Sequence, residues 1–189
     1  MKYYNNYGFS LYQLIIILAV AGSIMHIAIS SLARQFINNN GLIAFMQLQA
    51  VIKYAQQEAI RQRSNEILIC PANFNINGIL SGDFCNTLDG KWDKGALVFR
   101  SLNGSSSYQR NSSGRIAAIR LNSPMQIILH ANNSNFATNK LRVNNAGEIS
   151  DDKANTSWKI EFKQNLFDNG VCKTANFNQY GVFSSLSEC

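Results

Sequence analysis

Four cysteines are the residues of this chain whose type and spacing are best suited to covalent chemistry. They are Cys70, Cys85, Cys172 and Cys189; no two of them form a Cys-x-x-Cys pair, and none has a histidine nearby. This spacing does not favour a zinc site, and four cysteines allow three disulfide pairings. We expect Cys70 to pair with Cys85 and Cys172 with Cys189, because each bond closes a loop of about 15 residues and stabilises the fold by about 3 kcal/mol in the chain-entropy model.

The cysteines also bear on the compartment in which the chain works. Disulfides persist in oxidising compartments such as a bacterial periplasm, whereas cytosolic thiols stay reduced. The alternative is a cytosolic protein with four reduced thiols in its core. We favour the disulfides and expect the part of the chain that carries them to lie outside the cytoplasm.

No catalytic constellation accompanies the cysteines. The two histidines, His26 and His130, have no acid or nucleophile beside them in a recognisable motif. The stretch from Asn103 to Ser107 is rich in Gly and Ser but lacks the lysine and the spacing of a phosphate-binding loop. The sequence therefore predicts no enzyme, no cofactor and no metal site.

A long apolar segment lies close to the amino terminus, ahead of all four cysteines. Residues 9–29 carry no formal charge when His26 is neutral, and about 20 such residues in a helix cross the hydrocarbon core of a bilayer. We predict a short polar leader over residues 1–8 and a single transmembrane helix over residues 9–29. Lys2 before the segment and Arg34 after it nearly balance, so the cysteines decide the orientation and predict a carboxy-terminal head outside the cytoplasm.

The helix is predicted to continue as an amphipathic helix over residues 30–63. A run of asparagines before Gly41 is a poor helix former and favours a bend or a melted turn there. Beyond the run, apolar residues recur at steps of three and four and predict a buried face, made of Phe45, Leu48, Ile52, Ala55, Ala59 and Ile60.

The remaining residues, 64–189, are predicted to form one β-rich globular head. Short apolar runs alternate with loops rich in Gly, Asn and Ser, which is typical of strands joined by exposed turns. The expected fold class is therefore α+β, with a long amino-terminal helix packed on a β-rich head. The predicted strands cover residues 67–70, 96–99, 116–121, 125–129, 140–143 and 157–162.

The amino terminus resembles the class III signal of type IV pilin-like proteins, in which a Gly-Phe junction precedes a long apolar helix. This resemblance implies that a prepilin peptidase cuts between Gly8 and Phe9 and methylates the new amine of Phe9. The fifth mature position, usually a glutamate that takes part in subunit assembly, is Gln13 in this chain. The resemblance also implies partners, which are other pilins or pseudopilins contacted through the helix.

Three internal patterns resemble one branch of that superfamily, the GspH/FimT-like minor pilins and pseudopilins. Residues 58–61, Glu-Ala-Ile-Arg, are similar to the branch's helix end before its first strand. Residues 91–99, with Trp92 and Gly95, resemble its Trp-x-x-Gly strand signature, and residues 141–149 resemble its turn with a fixed glycine, here Gly147. The fold implied by the resemblance is a pilin head.

Two functions fit this resemblance. The favoured one is a structural minor pilin or pseudopilin that takes part in the initiation or the tip of a type IV pilus or a type II secretion pseudopilus. The alternative is a DNA-binding minor pilin of the FimT type that acts in DNA uptake during natural transformation. The net charge of +6 permits DNA binding, and the candidate contacts are Arg110, Arg115, Arg120 and Lys173.

DNA binding is not favoured. In the FimT-like receptors, which the chain resembles, this role goes with a carboxy-terminal Gly-Arg-x-Arg motif, and this chain lacks it. The matching stretch here is residues 181–184, Gly-Val-Phe-Ser, in which both arginines are missing. We favour the interpretation that the scattered arginines are solvated loop residues over the interpretation that they form a binding patch.

Overall fold

The computed structural model of the protein describes residues 10–62, 66–75, 77, 79–80, 85, 91–101, 113–121, 125–132, 137–164 and 171–189. Within these ranges it has an α+β fold, in which one long helix precedes nine strands. The elements are α1 (Leu11–Gln62), β1 (Ile67–Pro71), β2 (Gly95–Ser101), β3 (Ser113–Arg120), β4 (Gln126–Ala131), β5 (Leu141–Val143), β6 (Ile149–Ser150), β7 (Ser157–Gln164), β8 (Val171–Asn178) and β9 (Ser187–Glu188).

The chain divides into two compact units, Met1–Asn38 and Asn39–Cys189. The first unit is helical from Leu11 onward. Its described large apolar side chains are all exposed on the single chain, from Leu11 to Phe36. Among the residues that the structure describes, no helix is both long and apolar enough to cross a membrane.

The second unit contains two antiparallel sheets. The first sheet has the strand order β3-β2-β1-β5-β6, and the second has the order β4-β7-β8-β9. In the second sheet, strands β4 and β7 alternate between buried and half-exposed residues, as expected for a sheet with one face on a core. Strands β1 and β2 are buried on both faces apart from Arg100.

One buried cluster joins both sheets to the second half of α1. The helix contributes one face to this cluster, and Trp92 and Trp158 are its largest fully buried side chains. Burial of this much apolar surface is the dominant favourable term in folding. The helical residues of the cluster are Ala44, Leu48, Val51, Ile52, Ala55 and Ala59.

A second, smaller cluster covers the opposite face of the first sheet. It is built from β1 and β2, chiefly Leu68, Leu97 and Phe99. Partly buried residues of the segment after β1, including Phe74 and Leu80, pack against it. This cover explains why β1 and β2 read as continuous apolar runs and not as an alternating pattern.

The structure departs from the sequence predictions at several places. The backbone is helical at residues 38–41, so the predicted melted turn is wrong. Ile60 was expected in the buried face but is 52 % exposed, and Gln56 lies in the interior instead. Strands β6, β8 and β9 were not predicted, because they are short or polar and gain their order from pairing with neighbours.

A buried carboxylate closes the turn between β6 and β7. Asp151 accepts hydrogen bonds from the backbone N–H groups of Lys153 and Asn155 at 2.9 and 3.0 Å. It also accepts from the Asn155 amide at 2.8 Å and from the Trp158 indole at 3.4 Å. Burial alone would raise the pKa of Asp151, but these hydrogen bonds outweigh it and hold the pKa below its ordinary value.

We expect Asp151→Asn to lower the free energy of unfolding by about 1–3 kcal/mol, because an amide nitrogen would replace an oxygen that faces N–H donors. Since the folded pKa lies below the ordinary value of 3.8, this stabilisation is present above that pH and is lost as pH falls through the folded pKa. The loss should therefore shrink in acid. Denaturant unfolding of the detergent-solubilised chain at neutral and acid pH measures it.

Asp152→Asn is the matched control. The Asp152 side chain is 51 % exposed and forms surface ion pairs with Lys140 and Arg142 at 2.8 Å each. Such exposed pairs contribute about 0–1 kcal/mol. Equal losses for the two variants at neutral pH would contradict the role assigned to Asp151.

Candidate functional site

The amino-terminal end of α1 is closed by a capping box formed by Ser10 and Gln13. The Ser10 hydroxyl accepts from the Tyr12 N–H at 3.3 Å, and the Ser10 N–H donates to Gln13 Oε1 at 3.1 Å. Reciprocal bonds of this kind satisfy N–H groups that have no partner within the helix. Gln13 thus has a partner in its own chain, whereas the predicted cleavage residues Gly8 and Phe9 lie outside the described residues.

The first unit exposes many large apolar side chains along α1. Leu14, Ile17 and Ile24 are each more than half exposed on the single chain. Exposed apolar patches larger than a few hundred Å² mark protein or membrane interaction sites. This surface is the part of the described chain best suited to contact other apolar helices.

The other end of α1 is fixed by ionic hydrogen bonds. Glu58, which is buried, accepts from Arg61 Nε at 2.9 Å and from Arg61 Nη2 at 2.6 Å, and it also accepts from the Gln62 amide. The bonds from Arg61 and Gln62 hold the pKa of Glu58 below its ordinary value. The Glu-Ala-Ile-Arg pattern therefore closes the helix with an i, i+3 pair near the start of β1.

The Trp-x-x-Gly signature forms the entry to β2. The Trp92 ring is fully buried in the main cluster, and its indole N–H donates to the Thr138 carbonyl at 3.1 Å. A Cβ on Gly95 would run into the ring of Phe74 and come within 2.6 Å of the Ile119 carbonyl oxygen. Any larger residue at position 95 would clash with the Phe74 ring and the Ile119 carbonyl, so the close packing at this position requires a glycine.

Two further glycines dock against α1 around Gln56. The Gln56 amide donates to the Gly147 carbonyl at 2.7 Å, and a Cβ on Gly181 would clash with the same Gln56 side chain. Both glycines have positive φ, 81° at Gly147 and 67° at Gly181. The sequence analysis missed Gln56, because a glutamine beside a polar stripe looks like a solvent-facing residue.

The helix end, the Trp-x-x-Gly strand and the glycine turns suggest a family relationship, and comparison with known protein families identifies it. The family model described as "Type II transport protein GspH" matches residues 44–172, which include the second half of α1 and most of the two sheets. The chain belongs to the GspH family. This is a pilin-like family of structural subunits of the cell envelope. No curated protein and no solved structure matches the chain.

The predicted DNA contacts do not converge on one described site. Arg110 lies outside the described residues, and Arg115 is placed on β3 without a described side chain. Arg120 is exposed at the end of β3, and Lys173 lies on β8 in the other sheet. The Lys173 stem packs beside Gly41, where its Cδ would be 3.7 Å from an added Cβ.

The stretch that matches the Gly-Arg-x-Arg motif follows a tight turn in this GspH-family chain. Asn178 Oδ1 accepts from the N–H groups of Tyr180 and Val182 at 3.0 and 3.1 Å. Val182 and Ser184 are exposed, although the Ser184 hydroxyl accepts from the Asn176 N–H at 2.8 Å, and the Phe183 ring stacks on Phe177 at 5.1 Å. The two positions that would carry arginines are therefore accessible, but here they hold an apolar residue and a small hydroxyl residue.

The structure joins Cys70 to Cys85 and Cys172 to Cys189, each with a Cα–Cα distance of 5.5 Å. Cys70 is fully buried in the smaller cluster, so its bond ties the segment after β1 to the outer face of the first sheet. Cys189 is exposed and follows β9, so its bond holds that short strand on β8.

We expect a mild reductant to open the Cys172–Cys189 bond before the Cys70–Cys85 bond, because a thiolate must reach a sulfur atom to exchange with it. Non-reducing peptide mapping with stepwise alkylation measures the order. Cys172→Ser with Cys189→Ser should lower the free energy of unfolding by about 3 kcal/mol, as should Cys70→Ser with Cys85→Ser. Cross-pairing between the two bonds, or first opening at Cys70, would contradict this assignment.

Proposed function

We propose that this GspH-family chain is a low-copy structural subunit that takes part in the initiation or the tip of a type IV pilus or a type II secretion pseudopilus. The observation that carries the proposal is the exposed apolar surface of α1 in the first unit. Among the described residues of its own unit, that surface has no apolar partner, and we infer that helices of other pilin-like subunits, or lipid, cover it. Family membership supports the same role.

The proposal assigns a task to each part of the chain. Residues 1–8 are a leader that a prepilin peptidase removes, and the amine of Phe9 is then methylated. Residues 9–29 hold the subunit in the inner membrane before assembly, supported by their lack of formal charge. Residues 30–63 join this segment to the periplasmic head, residues 64–189.

Gln13 is the feature that favours a terminal position in the filament. A carboxylate at this position would attract the amine of a neighbouring subunit, whereas an amide is a weaker partner for an ammonium and costs less to bury. In this chain the Gln13 oxygen is already used by the Ser10 N–H. Such a subunit needs no neighbouring subunit to pair with position 13. This property suits the end of the filament, where the helix bundle has no neighbour on one side.

The DNA-uptake alternative gains no support from the described residues. The stretch that should carry two arginines has Val182 and Ser184 in their places. Arg120 and Lys173 lie on different sheets. We therefore retain the structural role as the proposed function.

The first test of the proposal concerns processing. Because the Gly8-Phe9 junction precedes the apolar segment, intact mass spectrometry of membrane-extracted protein should give a chain that begins at Phe9 and carries one methyl group. Gly8→Val should leave the leader attached. Retention of Met1 in the native chain, or cleavage after residue 29, would end the pilin-like proposal.

The second test concerns position 13. Gln13→Glu keeps a side-chain acceptor for the Ser10 N–H and should leave assembly largely intact. Gln13→Lys has no acceptor and sets two positive charges together, so assembly should be abolished. Immunogold labelling of sheared filaments should find the native subunit rarely and at ends. Dense labelling along the whole filament would show that Gln13 does not restrict the subunit to a terminal position.

A further inference from the structure

One edge of the second sheet is covered by a short segment instead of a full strand. Strand β8 has eight residues, Val171–Asn178, whereas its outer neighbour β9 has two, Ser187–Glu188. We call residues 185–189 the strap. Every residue of the strap is exposed apart from Leu186, which is partly buried against the main cluster. The outer edge of β8 thus depends on a piece of chain that buries little of its own surface.

The two residues before the strap form a firm anchor on β8. The Phe183 ring stacks on Phe177 at 5.1 Å and meets Phe45 of α1 edge-on at 5.8 Å. The Ser184 N–H donates to the Asn176 carbonyl at 2.8 Å, and the Ser184 hydroxyl accepts from the Asn176 N–H at 2.8 Å. Aromatic packing and short hydrogen bonds therefore hold the anchor without help from a disulfide.

The hydrogen bonds of the strap are longer than those of the anchor. The hydroxyls of Thr174 and Ser187 lie 3.2 Å apart, and the Ser187 hydroxyl donates to the Thr174 carbonyl at 3.3 Å. The Cys189 N–H donates to the Cys172 carbonyl at 3.3 Å. These lengths lie beyond the usual range of such bonds. Because ordering the strap costs conformational entropy, a two-residue ladder and long hydrogen bonds hold it poorly unless the disulfide is closed.

We propose that the disulfide between Cys172 and Cys189 is a redox latch on the edge of β8. In the oxidised chain the strap covers this edge. After reduction the strap detaches, while the anchor and both sheets stay folded. An unpaired strand edge is a template for pairing with another chain, so the redox state of the surroundings decides whether the second sheet offers such an edge. The latch is independent of the subunit's proposed place in a filament.

A dithiol opens the latch by two exchange steps. One of its thiolates attacks the sulfur of Cys189, an exposed residue, forms a mixed disulfide and releases Cys172 as a thiolate. The second thiol of the dithiol then attacks the mixed disulfide, releases Cys189 and closes a cyclic disulfide. The dithiol loses two electrons and two protons, which the two cysteines gain. Exchange with oxidised glutathione, which is reduced to two thiols, closes the latch again.

Hydrogen exchange at single amides of the full chain in detergent tests the latch. The Cys172 carbonyl faces the strap, and alternation along an antiparallel strand turns the Thr174 N–H to the same side. The N–H groups of Lys173 and Ala175 face β7. Dithiothreitol, at a dose that alkylation shows to reduce this bond alone, should speed exchange at Thr174 at least about tenfold, and at the two amides that face β7 by less than about twofold.

Two variants separate the disulfide from the other contacts of the strap. Cys172→Ser combined with Cys189→Ser should give the fast Thr174 exchange without any reductant. Ser187→Ala keeps the disulfide but removes the hydroxyl that contacts Thr174, so exchange at Thr174 should stay within about twofold of the native rate. Equal Thr174 exchange in the oxidised and reduced chains would overturn the latch. Fast exchange in Ser187→Ala would overturn it too, as would equal loss of protection at the amides that face β7, because the disulfide would then hold the whole sheet.

Discussion

The burial of one face of α1 against both sheets is the interaction on which the rest of the head depends. Strands β4 and β7 bury only alternate residues, so the second sheet has a single apolar face that must be covered. The same cluster that contains Ile127 and Ile160 contains Leu48 and Ile52 of the helix. Small residues such as Ala55 allow the helix to approach closely, and loss of this contact would expose the apolar faces of both sheets at once.

The helix also gathers loops that are far apart in the sequence. Gly41 faces Met125, and Gln56 meets Gly147 and Gly181. Close approach at these points leaves little or no room for a side chain, so the glycines determine how the loops sit on the helix. The structural role that we propose would use such fixed loops, because the head of a subunit must keep one shape during assembly.

Charge is distributed unevenly over the head, and this distribution links fold to function. One carboxylate, Glu161, pairs with both Lys159 and Lys163 of β7. Arg142 bonds to Asp152 and Glu66 at 2.8 and 3.1 Å. Such half-exposed pairs contribute little to stability, but they remove attraction for polyanions from those faces.

The sequence by itself determined the features that depend on neighbours in the chain. A period of three to four residues predicted α1, and Leu48, Ile52 and Ala59 are buried as that period requires. Apolar runs predicted β1, β2 and β7, and the local Glu-Ala-Ile-Arg and Trp-x-x-Gly patterns predicted the pilin-like family. These signals are local because helix and strand periodicity are properties of consecutive residues.

Only the tertiary structure decided which residues meet across long separations. Gln56 is buried and Ile60 is exposed, which is the reverse of what their hydrophobicity predicts. Gln56 can be buried because Gly147 and Gly181 lie close to its side chain and give its amide a polar partner. Strand β8 is ordered by its pairing with β7 and not by its own alternation. Arg120 and Lys173, two of the candidate contacts, lie on different sheets, because strand pairing, which no short stretch of sequence specifies, decides which strands are neighbours.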